Sequence, residues 1–96
     1  MEHPERRPTR AQIEATIFAL LEQRAPSASV CPSDVARALK AEESGWRGLM
    51  PAVRAIAIDL ARAGRLRITR GTDVLDPENL GRGPIRLRRP QGAFPR

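Results

Sequence analysis

Arginine recurs at alternate positions in two short stretches, "RLRITR" at 65–70 and "IRLRR" at 85–89. A guanidinium carries a permanent charge and a planar fork of N–H donors, the geometry that grips phosphate oxygens. In an extended strand, alternation puts Leu66 and Ile68 on one side and Arg65, Arg67 and Thr69 on the other. In the second stretch Ile85 and Leu87 turn inward while Arg86 and Arg88 turn outward. Pairing the two strands brings Arg67 to cross-strand distance from Arg86 or Arg88, where like charges repel. Such a cluster becomes favourable when phosphates neutralise it and counterions are released. With Arg70 and Arg82 nearby, and Arg47, Arg54, Arg62 and Arg65 on or just after the preceding helical segment, these are the candidate nucleic-acid-binding residues.

The charge is unevenly spread. The formal net charge is +6, and Lys40 is the single lysine. Residues 1–46 hold six bases and seven acids, whereas from Arg47 onward eleven bases face four acids, a net +7. A polyanion is the natural partner of that half. Aromatic residues make up 3% of the chain and none interleaves the arginines, so stacking on unpaired bases is poorly served and duplex DNA is the expected partner. The competing reading is a solvated arginine surface without a partner, the product of biased codon usage.

Other chemistry finds little support. One cysteine excludes an intramolecular disulfide and a cysteine-based zinc cluster. Cys31 stands at a helix start, where thiols can be activated, but the one histidine, His3, lies in a polar N-terminal arm, so no Cys–His pair forms and a capping role is expected. Neither Glu42 and Glu43 nor Asp73 and Asp76 have a metal-ligand pattern. The expectation is a protein that is not an enzyme and uses no cofactor or metal. No apolar run approaches the roughly 20 residues of a membrane span. The N-terminal "MEHPERRPTR" also lacks the apolar stretch of a signal peptide. These features predict a cytoplasmic protein with no membrane partner.

The elements that must position the arginines follow from local signals. Residues 1–8 read as a disordered arm, 9–89 as one domain and 90–96 as a disordered tail. Thr9 with Gln12 three residues on predicts a capping box, and apolar residues at Ile13, Ile17, Leu20 and Leu21 predict a helix from Arg10 to Arg24. Pro32 suits a first helical position, with Cys31 as N-cap, Asp34 near the positive end of the dipole and Val30 stapled onto Val35. The second helix should run to Lys40. Pro51 predicts a kink or a fresh start, with Ser44 capping a brief segment before it and a third helix from Met50 to Ala63 that ends at Gly64. "GTD" reads as a turn and "DPENLG" as a single helical turn between the two strands.

Three helices followed by a β-hairpin is an α+β arrangement, the winged helix-turn-helix. Together, "VCPSDVARAL", "WRGLMPAVR", "AGRLRITR" and "RGPIRLRR" resemble a family of short bacterial winged-helix proteins without an assigned function. The resemblance spans about Ala11 to Arg89 and implies the fold, but no activity and no binding residues.

The third helix poses its own question. With Val53 at the centre of the buried face, Ile56, Ala57 and Leu60 fall beside it, and Trp46 plugs the core towards the wing. The opposite face carries Pro51, Ala55, Ile58 and Arg62, few of which can read base edges. Either small Ala55 permits close approach to a groove, with Arg54 and Arg62 reaching phosphates or guanines, or Pro51, Ala55 and Ile58 form a contact patch for a protein partner or a second copy.

Overall fold

The computed structural model describes residues 8–40 and 43–90. The expected arm up to residue 7, the tail from residue 91 and the capping by Ser44 lie outside the described residues or side chains. The chain forms three helices, α1 (Arg10–Gln23), α2 (Pro32–Leu39) and α3 (Glu43–Arg62), followed by strands β1 (Arg67–Arg70), β2 (Asp73–Val74) and β3 (Arg86–Arg88). The sheet is antiparallel in the order β2-β1-β3, giving the α+β layout of a winged helix-turn-helix.

Local chemistry sets the helix ends. The Thr9 amide donates to Gln12 Oε1 at 2.8 Å, and the Gln12 amide donates to Thr9 Oγ1 at 3.1 Å, the reciprocal capping box expected for α1. At α2 the Cys31 amide donates to Asp34 Oδ2 at 3.1 Å, so Asp34 satisfies an otherwise orphaned donor beside the positive helix end. At the end of α3, Gly64 takes φ 76°. Its amide donates to the Ala61 carbonyl at 3.0 Å and the Arg65 amide donates to the Leu60 carbonyl at 2.9 Å. These two bonds are the Schellman closure, and the left-handed residue in it has to be one that tolerates a positive φ.

Three expectations need correction. Pro51 lies inside a single helix of 20 residues rather than starting a new one. It is exposed, so the helical bond that its missing N–H removes lies on the solvent side of α3, where water can take its place. The segment read as a turn, "GTD", contributes its last residue to a strand: Gly71 and Thr72 form a two-residue hairpin loop, with Gly71 at φ 61°, and Arg70 pairs with Asp73 across it. The following Asp76–Asn79 segment is a turn rather than a helical one, held by the Glu78 amide donating to Asp76 Oδ1 at 2.9 Å.

All three helices and the inner face of the sheet share one core. It is built from Ile13, Ile17 and Leu21 of α1, Val35 and Ala36 of α2, Leu49, Val53, Ile56, Ala57 and Leu60 of α3, and Leu66, Ile68, Ile85 and Leu87 around the sheet. Val30, also fully buried, does more than staple α2. Its amide and carbonyl exchange bonds of 2.8 and 2.7 Å with Leu87, so the α1–α2 linker adds one rung to the free side of β3. Trp46 is buried as expected, but lies under Arg37 of α2 and Arg47, 4.5 and 4.7 Å from its ring centre. It seals the α2–α3 junction.

Candidate nucleic-acid interface

The register of the sheet decides which arginines meet. Arg67 pairs with Arg88, Ile68 with Leu87 and Thr69 with Arg86. Paired residues of an antiparallel ladder share a face, so Ile68 and Leu87 enter the core while Arg67, Thr69, Arg86 and Arg88 occupy the outer face. The cross-strand arginine cluster expected from alternation is therefore present.

These side chains are held by neutral oxygens. Arg67 Nε donates to the Arg89 carbonyl at 2.8 Å. Arg86 Nε donates to Ser29 Oγ at 2.7 Å, and Arg88 donates from Nη1 to the Ser27 carbonyl at 2.6 Å and from Nε to Thr69 Oγ1 at 3.2 Å. Among the described residues none of the three has a carboxylate within salt-bridge distance. A carbonyl or hydroxyl fixes a guanidinium without cancelling its charge, and each of these side chains keeps N–H donors in reserve. The anchors belong to the α1–α2 linker, which the Val30 rung brings against β3.

The arginines around the ends of α1 and α3 behave differently. Arg62 forms a two-pronged pair with Glu78, at 2.6 and 3.0 Å, and lies 3.3 Å from Asp59. Arg10 bridges Glu14 at 2.7 Å and Asp59 at 2.9 Å. Arg65 reaches Glu14 at 3.6 Å and lies over the Phe18 ring at 4.8 Å. Hydrogen bonding to Glu78 raises the Arg62 guanidinium above its ordinary value, and bonding to Glu14 does the same for Arg10. Sequence spacing grouped Arg62 and Arg65 with the sheet arginines, but here acids compensate their charge.

Arg70 is an internal brace. Its Nε, Nη1 and Nη2 donate to the carbonyls of Pro84, Leu80 and Gly83 at 3.0, 2.8 and 3.1 Å, which ties the end of β1 to the loop leading into β3. That loop carries Arg82 outward. Arg82 and Arg54 have no hydrogen-bond or ion-pair partner among the described residues. Arg54 is half-buried on α3, and Arg47 is engaged with Trp46. Pro51 and Ala55 are exposed, whereas Ile58 is half-buried and packs on the core, so the apolar centre of the expected protein-contact patch is largely covered.

Sequence reading missed the anchoring role of Ser27 and Ser29, because nothing local links a linker serine to an arginine more than 50 residues away. Thr69 and its place beside the arginines were legible from alternation alone. No helix among the described residues is long and apolar enough to cross a membrane. A search of curated proteins finds no match to the chain. A family model described as "Protein of unknown function (DUF3253)" matches residues 10–90, all three helices and all three strands, and the chain belongs to that family.

Proposed function

We propose that the protein binds duplex DNA through phosphate contacts made by the outer face of its sheet. One observation carries this reading: Arg67, Arg86 and Arg88 are fixed on one face by neutral partners and keep their full charge. Side chains already held in place lose little rotamer freedom on contact, which favours binding. Arg82 on the loop before β3 and Arg54 on α3 extend the positive surface. Phe18 and Trp46, the aromatic residues among those described, pack with the core instead of on this face, so base stacking makes no contribution there. The exposed part of α3 offers Pro51 and Ala55, which donate nothing to base edges, and sequence preference is accordingly weak.

The test is a fluorescence-anisotropy titration of a duplex at a series of salt concentrations. Three to five neutralised phosphates give a logarithmic slope of about −3 to −5. A flat salt dependence, or no binding at low salt, refutes the reading. Replacing Arg67 and Arg86 together by alanine weakens binding to all sequences about equally. Such a protein, without a membrane partner or cofactor, works in the cytoplasm as a binder and not as an enzyme.

A further inference from the structure

An open cleft of about 290 Å³ lies on the outer sheet face, lined by Arg67, Thr69, Gly71, Thr72, Val74 and Arg88. Its two arginines are paired residues on adjacent strands, an arrangement that costs stability unless an anion lies between them. Arg67 commits only Nε and Arg88 only Nε and Nη1 to protein oxygens, so terminal N–H groups of both remain unused. Thr69 adds an independent signal. It is 3% exposed, the one polar residue in the core's burial range among the described residues, and it lies on the cleft wall. Its oxygen accepts from Arg88, yet its own hydroxyl proton has no acceptor among the described residues. Thr72, exposed at the rim, brings a second hydroxyl.

We infer that this cleft is a specific site for one phosphate group, gripped by Arg67 and Arg88 and completed by the hydroxyls of Thr69 and Thr72. The inference rests on the phosphate-directed reading above and sharpens it to one subsite. A phosphate offers several acceptor oxygens for bidentate guanidinium contacts and a charge that relieves the paired arginines. The same chemistry has two sources, a backbone phosphate of a duplex or the terminal phosphate of a small monoester.

The probe is inorganic phosphate, titrated into the full chain against chloride at matched ionic strength and followed by melting temperature and calorimetry. Binding of the native state produces a saturable rise in melting temperature. The rise is lost, or the apparent affinity falls about tenfold or more, in Arg67→Ala and in Thr72→Glu. The second variant places a carboxylate at an exposed turn position and leaves every described hydrogen bond in place, so its loss of binding cannot be laid to unfolding. Arg37→Ala, at the α2–α3 junction, removes the same charge and leaves the effect intact. Competition then separates the sources: phosphate that displaces a bound duplex at constant ionic strength marks the cleft as a backbone subsite. Phosphate that binds saturably without displacing it marks a site for a free monoester. Either result supports a phosphate cleft, while duplex binding stands or falls on its own salt titration. A rise that does not saturate, or that persists unchanged in Arg67→Ala and Thr72→Glu, overturns the inference.

Discussion

Arginine plays three distinct parts in this chain, and its neighbours, not its position along the sequence, decide which. Arg70 illustrates the structural part. Its guanidinium fastens the loop before β3 by three carbonyls, and that loop must turn back on itself to receive them. Gly81 and Gly83 supply the turn, with φ of 71° and 109°. A Cβ at Gly81 would meet Arg70 Nη1 at an ordinary 3.8 Å, whereas one at Gly83 would sit 3.2 Å from Nε, on a side chain that is tied down and cannot give way. Gly81→Ala incurs the left-handed penalty of about 1–2 kcal/mol, and Gly83→Ala, at a φ further from that region, carries at least as large a backbone cost plus a steric one. Denaturant melts should therefore rank Gly83→Ala below Gly81→Ala in stability. In an Arg70→Ala background the difference should narrow, because the obstructing guanidinium is gone and only the backbone strain remains. Equal costs in the unmodified protein would mean that the clamp is loose and that Arg70 belongs with the free cations.

Among the elements, those specified by neighbours in sequence are the ones that could be read in advance. The capping box at Thr9, the Pro32 start with Asp34 and the Gly64 stop are all set within about four residues, and α1, α2 and the end of α3 appear where they were expected. The pairing of "RLRIT" with "IRLRR" was legible because alternation gives each stretch one apolar face, but a shift of two residues keeps those faces, so whether Arg67 meets Arg86 or Arg88 was open until the fold set Arg67 opposite Arg88. Two elements were not legible. Strand β2 is two residues long, too short for any alternation, and exists because Thr69 and Arg70 of β1 have a free edge to offer. In α3, Leu49, Val53, Ile56 and Leu60 are all buried on both sides of Pro51, and this shared packing outweighs the local preference against proline in a helix. The cost of Pro51 remains in the native state. Replacing it with alanine should restore one backbone bond and stabilise the protein by about 1–3 kcal/mol, a gain that raises the melting temperature by about 4–8 °C per kcal/mol in a domain of this size. An unchanged or lowered melting temperature would show that α3 needs a proline-shaped deformation to fit its neighbours.

At the scale of the whole molecule, charge is divided between two regions. Around the N-terminal part of α1 and the C-terminal end of α3, Arg10, Arg62 and Arg65 share Glu14, Asp59 and Glu78. On the outer sheet face, Arg67, Arg86 and Arg88 have neutral partners among the described residues. Net charge alone cannot distinguish these regions, which is why sequence reading placed Arg62 and Arg65 in the same binding strip as Arg67. Long-range ion pairs such as Arg62 with Glu78 leave no signature at helical or strand spacing. The division predicts opposite consequences for two alanine substitutions. Arg67→Ala removes an uncompensated charge and should flatten the salt dependence of duplex binding by about one unit of slope. Arg62→Ala removes a charge already matched by acid, and should cost a little stability while leaving that slope unchanged. The pH behaviour has a definite sign as well. Because the folded-state value of Arg62 is raised, the stabilisation it brings, wherever its carboxylate partner is ionised, is undiminished below the ordinary guanidinium range and is lost as pH rises through it. From roughly pH 6 to 10, then, the difference in melting temperature between Arg62→Ala and the unmodified chain should stay constant. A difference that shrinks as pH rises through neutrality would mean that another group, and not the Arg62–Glu78 pair, ties α3 to the loop after β2.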